Sequence, residues 1–207
     1  VKIGESRLFD RWSAVYDRPR FQDATYRPVH DAVLELLVAA RPATIVDLGC
    51  GTGQLTLRLT ERFPDARIIG IDYSAGMMRQ AADRVEGDAI ILQADAHHLP
   101  LRPGSADVVV CTESFHWYRD QRRVLAGLAS IIRPGGQLVI ASIATITHVG
   151  ESTVRRLSSL SGQPIRAMTP RRLRGLLIDA GFDVVRQRRV PRRGIVPWPA
   201  LTDARRR

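Results

Sequence analysis

Alternating glycines and two acidic residues stand where the chemistry of a ligand can be read before any fold is drawn. The run Asp47-Leu48-Gly49-Cys50-Gly51-Thr52-Gly53 follows an apolar β-branched segment and precedes a helical pattern. Glycines at alternate positions let the backbone turn sharply and bring a ligand against the main chain, where a Cβ would collide. A dinucleotide site calls for Gly-x-Gly-x-x-Gly. Here the third glycine comes one residue early, and with an acidic residue ending the strand this spacing suits a ligand without phosphates. Asp72 ends the next β-branched run, where its carboxylate either accepts both ribose hydroxyls of a nucleoside or caps the helix that follows.

Further reactive groups gather in Cys111-Thr112-Glu113-Ser114-Phe115-His116-Trp117-Tyr118. An imidazole with an unperturbed pKa near 6.5 suits removal of a proton from a hydroxyl or carboxylic acid, which makes His116 the candidate base. The alternative is a turn capped by His116 with Phe115 and Trp117 packing around it. Neither of the two cysteines, Cys50 and Cys111, has a neighbouring Cys or a closely spaced His, so no metal is expected. The first residues, Val-Lys-Ile-Gly-Glu-Ser, lack a basic and then apolar leader pattern, and no apolar run reaches membrane-span length; a cytoplasmic location is the expectation.

Short β-branched runs separated by helical patterns must hold these groups. The runs are 44–48, 67–71, 89–92, 107–110 and 138–141, with Phe182 to Val190 as a sixth. Leu55, Leu59 and Phe63 recur at helical spacing, as do Met77, Met78, Ala81 and Val85 behind a Ser74 cap, and Val124, Leu125, Leu128 and Ile131 before the turn Pro134-Gly135-Gly136. Thr169 and Pro170 open a last helix that Gly181 ends. Continuous apolar strands joined by helical crossovers predict a doubly wound α/β, Rossmann-like, mostly parallel sheet of six or seven strands with helices on both faces. Its ligands belong at the carboxyl ends of the strands.

The ordered set comprising the glycine run, Gly70-Ile71-Asp72-Tyr73-Ser74, Gln93-Ala94-Asp95-Ala96, Asp107 to Val110 and Leu128 to Gly136 resembles the class I S-adenosylmethionine-dependent methyltransferases. The match is closest to the broad small-molecule group that includes the ubiquinone and menaquinone biosynthesis enzymes. The resemblance covers roughly Asp47 to Ile143 and implies S-adenosylmethionine as cofactor, S-adenosylhomocysteine as product and no metal. It implies that Asp47, Gly49, Gly51 and Gly53 hold the methionine end and Asp72 the ribose. Tyr73 and Met77 flank the adenine, Asp95 and Ala96 meet its amino edge, and Thr112 joins the cofactor-binding set.

The expected reaction is in-line transfer of the methyl group to oxygen or carbon of a small-molecule acceptor, a displacement that needs alignment and exclusion of water. Two amphipathic helices precede the first strand, and Trp12, Tyr16 and Tyr26 are placed to form an aromatic lid over the ligand edge, with His116 and Trp117 completing the acceptor side. Three segments follow: a helical lid (1–42), a cofactor-binding core (43–144), and a short cap with the elements that complete the sheet (145–207).

Charge separates the remaining readings. Residues 151–207 hold fourteen arginines against Glu151, Asp179, Asp183 and Asp203, which accounts for the whole net charge of +10. That surplus keeps RNA methylation as a second reading, through charge on the phosphate backbone. Against it, the Asn/Asp-Pro-Pro-aromatic run of base-amine methyltransferases is missing after the fourth strand, where Thr112-Glu113-Ser114-Phe115 stands. A third reading is a binding module that keeps the cofactor pocket without turnover. Pro197 and Pro199 lack the N–H an interior ladder needs, so a seventh strand, if formed, is expected to be short and to begin near Gly194. The acceptor and the oligomeric state are not legible from the chain.

Overall fold

The computed structural model describes residues 24–159, 164–192 and 198–207. Helix α1 (Arg27–Leu37) leads into β1 (Thr44–Leu48), α2 (Gln54–Arg62), β2 (Arg67–Asp72), α3 (Ala75–Val85), β3 (Ile90–Gln93) and β4 (Ala106–Thr112). After a 3-10 turn at Phe115–Trp117 come α4 (Gln121–Ile131), β5 (Ile132–Ile143), α5 (His148–Ser159), α6 (Pro170–Asp179), β6 (Phe182–Arg189) and β7 (Pro199–Arg206). The seven strands form one sheet in the order β3-β2-β1-β4-β5-β7-β6, in which β7 alone runs antiparallel to its neighbours.

Side chains on successive strand residues point to opposite faces, and each face has its own core. On one, Val46, Val109, Cys111, Leu138 and Ile140 meet Val124, Leu125 and Leu128 of α4 and Leu173 and Leu177 of α6. On the other, Ile45, Val108, Val110 and Val139 meet Val29, Val33 and Leu37 of α1 and Leu55 and Leu59 of α2. Each such burial is worth about 1.5–3 kcal/mol, which is why the strands read as unbroken apolar runs.

The apolar stripe of α1 packs on a sheet face, and Thr25 and Tyr26, just ahead of it, reach the ligand side. Two expectations need correction. The run Pro134-Gly135-Gly136 is not a turn ahead of the strand but a bulge within it: Ala106 pairs with Ile132 and Val108 already with Gln137. Gly136 is required there, since an added Cβ would lie 2.8 Å from the Arg133 carbonyl oxygen and 2.9 Å from that of Asp107. The seventh strand is neither short nor placed near Gly194. It begins at Pro199, since a strand's first residue is a place where proline is tolerated, and runs eight residues through Arg205 and Arg206. Its Asp203 is buried and accepts a hydrogen bond from Gln137 Nε2 at 2.8 Å.

Candidate functional site

The strand order reverses between β1 and β4, and at the carboxyl ends there a cavity of about 390 Å³ opens. The loop after β1 turns on Gly49, Gly51 and Gly53, at φ +74°, +56° and +79°. It is pinned to the end of β2: the Gly49 and Cys50 N–H groups donate to the Ile71 carbonyl (2.7 and 3.1 Å), and the Gly51 N–H donates to Asp72 Oδ2 at 3.0 Å. The other oxygen of Asp72 accepts from the Ser74 N–H at 2.9 Å, while Ser74 Oγ caps α3 by accepting from the Met77 N–H at 3.1 Å. Asp72 thus braces the glycine loop against the turn that leads into α3.

Gly49, Gly51, Asp72, Tyr73 and Met77 line the cavity on this side, and Asp95, Ala96 and Thr112 continue the wall. Asp95 Oδ1 accepts from both the N–H and the Nδ1 of His97, at 2.9 and 2.6 Å. Burial works to raise its pKa, but the two His97 hydrogen bonds outweigh it and the carboxyl sits below its ordinary range. Tyr26, His116 and Trp117 face the same cavity, whereas Trp12 and Tyr16 lie outside the described residues.

Two residues expected at the ligand stand behind the wall instead. Gly53 opens α2 beside α3, where an added Cβ would be 3.0 Å from the Ala81 Cα, so it serves helix packing. Asp47 is fully buried beneath the loop, where its Oδ2 accepts from Thr56 Oγ1 at 2.7 Å and its Oδ1 has no hydrogen-bond partner among the described residues. Burial raises its pKa to about 7, with the Thr56 bond opposing and the charge of Asp72 adding to the rise. The orphaned oxygen suits a donor arriving through the glycine loop, such as an ammonium group.

The acceptor side differs from the sequence expectation. His116 is buried, its Nδ1 lies 3.1 Å from Ser142 Oγ, and burial first and Arg192 second lower its pKa to about 3. That environment favours the neutral imidazole, which lines the cavity with its Nδ1 engaged at Ser142.

Beside it stands a pair that no local pattern announced. Glu113 adopts a left-handed φ of +52°, its N–H donates to the Ala141 carbonyl at 2.7 Å, and its Oε1 lies 3.2 Å from Arg192 Nη1. Burial raises Glu113 to about 7 against the pull of Arg192, and both residues line the cavity. The Arg192 side chain is fully buried, which removes it from the solvated arginine surface expected of this quarter of the chain. Arg206 is likewise occupied, donating to the Ala129 and Gly181 carbonyls at 2.9 and 3.1 Å.

The wall is therefore acidic where Asp72 and Asp95 stand and basic where Arg119, Arg166 and Arg192 stand, with Arg166 donating its N–H to the His116 carbonyl at 2.7 Å. Among the described residues no cluster of three or more His, Cys, Asp or Glu is arranged to hold a metal ion, and no helix is long and apolar enough to cross a membrane.

Comparison with known proteins agrees with this construction. The family described as Methyltransferase domain matches residues 46–140. A malonyl-(acyl-carrier protein) O-methyltransferase of Geobacter sulfurreducens is 42% identical over 129 residues, covering 57% of this chain and 47% of that protein. A trans-aconitate 2-methyltransferase of Deinococcus radiodurans is 38% identical over 130 residues, 62% of this chain and 48% of that protein. The chain thus spans about half the length of these relatives. Among solved structures, magnesium protoporphyrin IX methyltransferase of Synechocystis with bound S-adenosylhomocysteine superposes with a TM-score of 0.75 at 21% identity, over 98% of this chain and 95% of that one. The cyclase SpnF shares the fold as well, at a TM-score of 0.73 and 21% identity over 86% of this chain and 79% of that one, so fold alone does not name a reaction. Sequence family and sheet order together identify residues 46–140 as a class I S-adenosylmethionine-dependent methyltransferase domain.

Proposed function

We propose that this chain transfers a methyl group from S-adenosylmethionine to oxygen of a small carboxylic acid. The observation that carries this reading is one cavity lined both by Asp72 and Asp95, near the glycine loop, and by Arg166 and Arg192, of which the first meets the His116 carbonyl and the second Glu113. S-adenosylmethionine supplies an electrophilic methyl on a sulfonium sulfur, a cation favoured on the acidic side. The chain's own residues bind and align. Asp72 offers lone pairs to the ribose hydroxyls, Asp95 to the adenine amino group, and Asp47 lies beneath the loop that takes the methionine end. Tyr73 and Met77 supply apolar surface beside the adenine.

On the other side Arg166 and Arg119 give an acidic acceptor its counter-charge, while Tyr26, His116 and Trp117 exclude water. In this reading the segments before and after the core at 43–144 contribute to the acceptor side through Tyr26, Arg166 and Arg192. A carboxylate is ionised at neutral pH, so its methylation needs orientation and no general base, in keeping with the neutral imidazole. The acceptors in the names of the two relatives are themselves acids.

The test is transfer of isotope-labelled methyl from S-adenosylmethionine to a panel of di- and tricarboxylic acids, to matched alcohols and amines, and to a host-cell extract separated into small-molecule, lipid, RNA and protein pools. Base-labile label on the acids supports the reading. Label in RNA overturns it in favour of the arginine surface, and S-adenosylhomocysteine binding without any transfer leaves a binding module.

Two substitutions separate cofactor from acceptor roles. Asp72→Ala removes a charged acceptor from the Gly51 and Ser74 N–H groups, and S-adenosylhomocysteine affinity measured by calorimetry should fall about tenfold to hundredfold. Unchanged affinity removes the ribose assignment. His116→Ala should lower turnover by about tenfold or more through lost alignment, leave S-adenosylhomocysteine affinity near that of the parent, and leave the pH–rate profile without a limb near pH 6.5 in either protein. A limb there that vanishes in the variant would restore the base role.

A further inference from the structure

The loop after β3 carries an imidazole whose two nitrogens are both engaged, on opposite sides. His97 Nδ1 lies 2.6 Å from Asp95 Oδ1, and His97 Nε2 accepts the Asp120 N–H at 3.2 Å. Because Nε2 accepts, the neutral ring carries its proton on Nδ1 and donates it to the carboxylate. The ring edge also meets Tyr118 at a centroid distance of 6.3 Å. Tyr118 Oη donates to Ser114 Oγ (3.2 Å), and Ser114 Oγ donates to the Leu48 carbonyl (3.1 Å), immediately before the glycine loop.

A chain of contacts thus runs from Asp95 through His97 to the segment that carries His116 and Trp117, and returns to the end of β1. We propose that His97 is a positioning residue that orients the Asp95 carboxylate toward the adenine amino group and ties it to the acceptor-side segment at Asp120. This rests on the cavity binding S-adenosylmethionine as described above.

The geometry makes the two ends of the ring separable. Two hydrogen bonds from one residue fix Oδ1, so the direction of Oδ2 is set by His97. An oriented carboxylate accepts from the exocyclic amino group of adenine and rejects the carbonyl that replaces it in hypoxanthine, because two acceptors then face each other. Loss of the imidazole leaves Oδ1 held by the backbone N–H alone, which lets the carboxylate pivot about that one bond and blunts the discrimination. A residue that merely fills space would weaken both nucleosides alike.

The experiment compares binding of S-adenosylhomocysteine and S-inosylhomocysteine to the full chain, its His97→Ala and its His97→Asn variants. The parent should prefer the adenosine compound by about tenfold or more, His97→Ala should lose most of that preference, and His97→Asn, whose amide N–H stands near the place of Nδ1, should regain it. Having no group in place of Nε2, His97→Asn should still show a raised KM for the acceptor. Equal loss of both ligands in His97→Ala with the preference intact overturns the positioning role. A parent that binds neither compound overturns instead the cofactor reading on which it rests.

Discussion

Gly49→Ala should cost about 2–5 kcal/mol of folding stability and abolish cofactor binding. Two costs add. The residue sits at φ +74°, where an L side chain is strained by about 1–2 kcal/mol. The new Cβ would also stand 2.4 Å from both the Cβ and the Oγ of Ser114, atoms tied to backbone and to the Leu48 carbonyl that cannot swing aside. Urea unfolding followed by circular dichroism measures the loss. The double variant Gly49→Ala/Ser114→Gly should recover the steric part and leave the backbone part, a coupling that a double-mutant cycle isolates. Gly51→Ala is the contrast: at φ +56° it carries strain, but its Cβ meets nothing within 4 Å, so the fold should survive with a cost of about 1 kcal/mol while the ligand side of the loop is altered. If both glycines tolerate alanine equally, the contact between the β1 loop and the β4 turn is not as described.

The second large effect is one of pH. Between pH 4 and pH 8 the stability of the Asp47→Asn variant should rise relative to the parent by about 4 kcal/mol, whatever the offset between them at the starting pH. Native Asp47 holds its proton up to about pH 7, whereas the unfolded chain releases it near the ordinary carboxyl value of 3.8. In that interval the native state binds more protons than the unfolded state. Its contribution to stability is therefore complete below pH 3.8 and is lost as pH rises through 7. Asparagine does not titrate, so the difference between the two proteins isolates this one group even though Glu113 is shifted in the same direction. A difference that stays constant across the range would mean that Asp47 is ionised in the native protein, stabilised by a donor at its Oδ1.

The parts of this site that were legible in the sequence share a property. Asp72, Asp95 and the glycine loop sit within a few residues of a strand end, and strand ends follow from local apolar runs, so fold and cofactor side could be read together. The acceptor side is assembled from residues far apart. Glu113 and Arg192 are 79 positions apart, and Arg192 lies among many arginines, only some of which face solvent; composition cannot say which one the fold will bury. Asp47 shows the converse limit. Its place in a strand-end pattern suggested contact with the ligand, but the alternation along β1 turns its side chain beneath the loop, toward Thr56. β7 is hidden in the sequence because Pro197 and Pro199 argue against a ladder there, while the residues after them, including consecutive arginines, carry no apolar run that marks an interior strand.

That strand governs how the molecule can be made. β7 leaves the ribosome after β6 yet lies inside it, between β6 and β5, with Leu138 pairing to Ala204 and Val184 pairing to the same residue from the other side. Until residues 199–206 are available, the edge of β5 is unpaired and β6 has no partner, so the sheet cannot close progressively during synthesis. Closure waits for a late step of high contact order, in which β7 enters as half of a hairpin-like unit with β6. A nascent chain halted before Pro199 would present a long apolar strand edge, the kind of surface that chaperones hold and that aggregation begins from.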